Sequence, residues 1–145
     1  IPTQRIHTIR TQLADARPRS QNDDTAMKRD LDPQADRFIP LKPVVFGIMM
    51  SLAEQERHGY AILHDVRTRS EGRLKLETGP LYRHLKRLLD DRLVEETEGA
   101  ERGESSDPRR RYYALTELGR SVLATEGQRL AQAVQHAQAL GAIPT

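Results

Sequence analysis

Between Gly79 and Asp91 the chain sets leucines at 81, 85, 88 and 89, the i, i+4, i+7, i+8 spacing of one buried helical face. Tyr82, Arg83, Lys86, Arg87 and Asp90 fall on the opposite side. Thr78 supplies an N-cap hydroxyl and Pro80 suits the first turn, so a helix over about 79–91 is expected. A segment divided in this way must lay its leucines on other elements and leave a cationic face outside. The rest of the chain has to provide a small core for it.

Upstream, Val45, Ile48, Met49 and Leu52 recur at i, i+3, i+4 and i+7, and Pro43 suits a first turn, which predicts a helix over about 43–54. It ends in the charged turn Glu54-Gln55-Glu56-Arg57. A second helix starts near His58-Gly59-Tyr60 and runs to about Arg69, burying Ile62, Leu63 and Val66, before Gly72 breaks the chain. Tyr60 is read chiefly as packing, with a phosphate contact as its second use.

Downstream, residues 93–97 have the length and polarity of a short exposed strand, and residues 110–115 form its β-rich partner. Tyr112 and Tyr113 alternate, so one packs inside and the other is half exposed. The intervening residues include Gly99, Gly103, Ser105, Ser106, Asp107 and Pro108, a long hairpin loop. Thr116 caps a helix reaching about Leu140, weakened by Gly119 and Gly127. Leu123, Leu130 and Ala137 recur every seven residues with Val134 beside them, a seam suited to another helix.

Residues 1–37 hold seven basic and six acidic residues and no sustained apolar stripe, and read as a flexible extension. Ile6, Ile9 and Leu13 are too few to hold a helix alone. Met27 is a candidate start, and removal of residues 1–36 is expected to leave folding and function nearly intact.

Composition removes several classes of function. There is no cysteine, which excludes disulfides and thiolate sites, and the longest apolar run, residues 44–52, is too short to span a bilayer. A cytoplasmic location is expected. His58 and His64 miss the spacing that sets two imidazoles on one helical face, so no metal is expected. With no phosphate loop and no nucleophile elbow, neither catalysis nor a cofactor is expected. The net charge is only +2, so where the cations sit matters more than their number.

Three helices, a strand, a Gly- and Ser-rich loop, a strand and a final helix form the order of a winged helix-turn-helix. The expected organisation is an extension over 1–37, a winged helix domain over 38–115, and a long C-terminal dimerisation helix and tail over 116–145. A helix fits the B-DNA major groove, where Arg and Lys donate to guanine O6 and N7. The wing, about 98–111, has Arg109, Arg110 and Arg111 at its base, within reach of backbone or minor groove.

Four motifs carry a resemblance to a known family. They are Phe38-Ile39-Pro40-Leu41, His58-Gly59-Tyr60-Ala61-Ile62, the run from Gly79-Pro80-Leu81-Tyr82 through Arg83-His84-Leu85-Lys86-Arg87-Leu88, and Arg109-Arg110-Arg111-Tyr112-Tyr113-Ala114-Leu115-Thr116. In order and spacing over about 38–130 the chain resembles the short branch of the PadR-like transcriptional regulators. That resemblance implies a homodimeric repressor that binds double-stranded DNA and is often released by a small molecule, and the symmetry of a dimer requires a pseudo-palindromic operator. It places DNA contacts on Thr78, Gly79, Tyr82, Arg83 and Lys86 and on Arg109 to Arg111, to which the cationic helix face adds Arg87 and the start of the second helix adds Tyr60 as a further candidate. Pro80 stands where the family commonly has Thr, and Lys42 where a Ser or Thr cap is usual. Leu123, Leu130, Val134 and Ala137 are the expected dimer interface, with any effector bound there and not inside one subunit. Two alternatives stay open: a winged-helix protein-interaction module, and a MarR-like regulator.

Overall fold

The structure is a computed structural model in which residues 33–98 and 111–145 are described. A 3-10 turn, Pro33–Phe38, leads into helix α1, Pro43–Glu54. Strand β1, Arg57–His58, helix α2, Gly59–Arg69, and helix α3, Thr78–Asp90, follow. Strands β2, Val94–Thr97, and β3, Tyr112–Leu115, precede helix α4, Glu117–Ala139. The architecture is a winged helix-turn-helix with a long C-terminal helix.

Each helix start has its own cause. Pro43 occupies the first turn of α1, with Lys42 extended before it and no side-chain cap. At α2 the cap is His58, whose Nδ1 accepts the Ala61 N–H at 3.2 Å. At α4 the Thr116 hydroxyl accepts the Gly119 N–H at 3.0 Å and donates to the Arg92 carbonyl at 2.6 Å. The cap expected at Thr78 is not made: α3 begins one residue earlier and Thr78 is already helical. The chemistry explains the difference, because Pro80 has no N–H to give and the Leu81 N–H is taken by the Glu77 carbonyl at 2.9 Å.

The sheet runs in the order β1-β3-β2, antiparallel throughout, with Arg57 opposite Tyr113 and Glu96 opposite Tyr113 on the other edge. The two-residue β1 falls where the sequence shows only a charged turn and a helix start, being too short to display a period. Its Arg57 is fixed by the Ser51 carbonyl at 3.0 Å and Glu54 at 2.7 Å, with Asp65 3.8 Å away. As expected, Tyr113 is buried and Tyr112 half-buried.

The core joins Ile48, Met49 and Leu52 of α1, Ile62 and Val66 of α2, Leu81, Leu85 and Leu88 of α3, and Val94, Tyr113 and Val122. It reaches past both expected boundaries. Ala35 of the 3-10 turn is fully buried and that turn packs on α4, so ordered structure begins ahead of residue 38. The first turns of α4 are likewise core, through Gly119, Val122 and Glu126. A Cβ on Gly119 would lie 2.0 Å from the Leu93 carbonyl oxygen. The glycine read as a weakness is what lets α4 lie directly on the backbone leading into β2.

Candidate nucleic-acid interface

Burial of Leu81, Leu85 and Leu88 on one side of α3 fixes what the other side offers. Thr78, Gly79, Tyr82, Arg83, Lys86 and Arg87 are all exposed, along three turns of one helix. Arg83 and Lys86 straddle the outermost line, whereas Arg87 leans toward α1 and Tyr82 toward α2. Among the described residues Arg83, Lys86 and Arg87 make no ion pair. Arg57, Arg67 and Arg69, in contrast, are tied down by carboxylates. Arg69 meets Asp65 at 2.8 Å and Glu54 at 2.5 Å. Burial raises the Asp65 carboxyl, but the hydrogen bond from Arg69 and the charges of Arg57 and Arg69 outweigh it and leave the pKa below its usual value.

Tyr82 is half exposed, and its hydroxyl end lies over Gly59, where a Cβ would come within 2.5 Å of Oη. Tyr60, expected mainly to pack, is 72% exposed beside it at the start of α2. The reading as packing is therefore corrected: Gly59 turns inward at that point, and the next residue on the helix faces out. Arg111, exposed at the base of the wing, meets Glu96 across the β2–β3 pair at 3.5 Å. An exposed pair of that kind holds only about 0–1 kcal/mol, so the guanidinium is readily released. Arg109 and Arg110 lie outside the described residues.

On α4, Leu123 packs partly against its own core, while Leu130 and Val134 are exposed and Ala137 half-buried. Leu140 is 84% exposed beyond them. Two open grooves flank this framework. One of about 660 Å³ lies between Phe46 and Met50 of α1, Leu74, and Arg129 and Leu130 of α4. The other, about 420 Å³, lies between the start of α1 and α3. Its walls include Arg37, Lys42, Arg83, His84 and Arg87 over Phe38, Val45 and Leu88. Burial, then the charges of Lys42, Arg83 and Arg87, hold the His84 pKa below its ordinary value. Lys42 and Arg37 were not singled out from sequence as interface residues; Lys42 stood there only as an unusual cap.

Sequence reasoning also missed Glu126, which is 1% exposed. It accepts hydrogen bonds from the Leu41 N–H and from Arg129 Nε. No described helix is long and apolar enough to cross a membrane, and no described cluster of His, Asp and Glu fits a metal ion.

A family model for transcriptional regulators of the PadR-like family matches residues 48–125, more than half of the 145. The chain belongs to the PadR-like family. The members of that family are transcription regulators and not enzymes, and the MarR-like alternative is set aside. Solved structures agree in fold. A PadR family transcription regulator from Clostridium difficile is 23% identical with a TM-score of 0.56, the match covering 68% of this chain and 98% of that one. A PadR-like regulator from Bacillus cereus is 22% identical with a TM-score of 0.57, covering 67% and 89%. BpsR of Bordetella bronchiseptica, whose DNA binding is regulated by 6-hydroxynicotinic acid, is 15% identical with a TM-score of 0.51, covering 88% and 84%. None of the curated proteins matches.

Proposed function

We propose that this PadR-like regulator is a cytoplasmic homodimeric repressor that binds a pseudo-palindromic operator, α3 reading the major groove and the wing touching backbone or minor groove. The observation that carries the reading is the exposed face of α3, where Arg83, Lys86 and Arg87 have no ion-pair partner among the described residues and stand beside Thr78, Gly79 and Tyr82. A helix of that diameter fills the major groove, and unpaired guanidinium and ammonium groups meet guanine edges and phosphates there. Exposed Leu130 and Val134 support pairing through α4, since two apolar side chains in open solvent gain by mutual burial. The groove between α1 and α4 is where an effector would sit, close to that pairing surface.

Selection of bound sequences from random duplexes, followed by binding of Arg83→Ala and Arg110→Ala across a salt series, tests the division of roles. Arg83→Ala is expected to lose about 1–3 kcal/mol on the selected site and to relax discrimination at one base. Arg110→Ala is expected to weaken all duplexes alike and to lower the salt slope by about one. A protein that enriches no sequence is an interaction module, and the DNA reading then falls.

A further inference from the structure

We propose that the groove between the start of α1 and α3 seats a phosphate of the DNA backbone, gripped by Lys42 and Arg87, and that His84 takes up a proton as the groove fills. The proposal rests on the DNA-binding reading above and extends the footprint from Arg87 of α3 to Lys42 before α1 and to His84.

Cations reach this groove from three separate elements: Arg37 from the 3-10 turn, Lys42 from the residue before α1, and Arg83 and Arg87 from α3. Asp91 is the one carboxylate on the lining. Among the described residues Lys42, Arg83 and Arg87 have no ion-pair partner, and Arg37 rests over the Phe38 ring, 4.7 Å from its centroid. Such a set of unpaired charges, converging on a concavity, has no structural use within the described fold. Position supplies the ligand. An α-helix of about 10–12 Å diameter occupies a major groove about 12 Å wide, so residues on its flank face the phosphates that bound the groove. Arg87 and His84 are on that flank, toward α1, Arg87 one turn beyond the outward Arg83 and His84 next to it in sequence. The apolar floor of Phe38, Val45 and Leu88 keeps the local dielectric low and strengthens attraction for an anion.

The charged groups that line the groove with His84 are Arg83 and Arg87 of α3, Asp91 just after it, Lys42 before α1 and Arg37 of the turn. Burial and the surrounding cations disfavour the imidazolium in the free protein. A phosphate among those cations reverses the balance, because an opposite charge at close range favours the charged form. Affinity for DNA then rises as pH falls through the His84 pKa of the complex. The gain levels off below the lower pKa of the free protein, where the imidazole is charged in both states.

The test uses the full chain and a selected duplex. Lys42→Ala is expected to reduce the salt slope by about one and to weaken selected and scrambled duplexes by the same factor, with Lys42→Arg restoring the wild-type slope. Unaltered melting temperatures show that folding is intact in each variant. Between pH 7.5 and 5.5 the wild type is expected to tighten about three- to tenfold, up to tenfold for each pKa unit that the phosphate adds, and His84→Gln to lose that gain. DNA binding with an unchanged slope in Lys42→Ala overturns the phosphate seat while leaving the DNA reading intact. A pH response retained in full by His84→Gln overturns the proton uptake. Absence of DNA binding in the wild type defeats the underlying reading instead.

Discussion

A carboxylate removed from water needs donors in place of the solvent it has lost. Glu126 finds two, the Arg129 guanidinium on its own helix and the Leu41 backbone N–H, 85 residues away in sequence. The Arg129 hydrogen bond holds its pKa below 4.5 against the opposing effect of burial, with help from the Leu41 N–H. A depressed carboxyl pKa adds stability above the unfolded-state value, and that stability disappears as pH falls through the folded-state value. Glu126→Gln is therefore expected to cost about 1.5–3 kcal/mol at pH 7. The difference from wild type should shrink as pH drops below about 4.5, a trend that chemical denaturation at a series of pH values reads directly. A gap independent of pH would exclude the charge as its cause. Nothing near Glu126 in sequence announces this role, because a single Glu on a helix between Thr125 and Gly127 reads as solvated. The same limit applies to Tyr60, whose exposure depends on the inward turn of Gly59, whereas the alternation of Tyr112 and Tyr113 was local and legible.

At the scale of elements, what periodicity marks was legible and what contact marks was not. Helices α1, α2 and α3 lie within one residue of their expected spans, because stripes such as Leu81, Leu85 and Leu88 repeat inside a single element. The two-residue β1 has no period to display. The 3-10 turn, Pro33–Phe38, owes the burial of Ala35 to α4, which begins only at Glu117. Gly119 and Gly127 show the same contrast within one helix, since they read alike in sequence. A Cβ at 119 meets the Leu93 carbonyl, whereas a Cβ at 127 has nothing within 4 Å. Gly119→Ala is accordingly expected to force α4 away from the Leu93 backbone, lowering stability by about 2 kcal/mol or more, within the range for overpacked sites. Gly127→Ala is expected to raise stability by about 1 kcal/mol, the ordinary gain of alanine over glycine in a helix. Thermal melts at one protein concentration decide the matter, and equal shifts for the two variants would contradict the packing described for Gly119.

For the whole molecule, one question is how many copies act together. Leu130 and Val134 expose 37% and 48% of their surface, and Leu140 more. Leu130→Glu combined with Val134→Glu is expected to give a monomer in sedimentation at tens of micromolar, with the helical spectrum of the wild type. Its affinity for a two-half-site operator should fall about a hundredfold or more, since a monomer loses the high effective concentration of the second half-site. A wild type that sediments only as monomer would remove the dimer from the reading. The winged helix itself was legible from element order. The division between wing domain and terminal helix was not, because α4 gives its first turns to the same core as α1 and β3. That attachment makes α4 a lever. With 23 residues at 1.5 Å each it extends about 35 Å, clamped at its root by Gly119 against Leu93 and farther along by Glu126 against Leu41. A tilt of about 10° at the root sweeps the far end through roughly 6 Å, close to the rise of two base pairs. In two copies joined by their levers, a small wedge beneath α4 would therefore be magnified into a mismatch between the spacing of the reading helices and that of the half-sites.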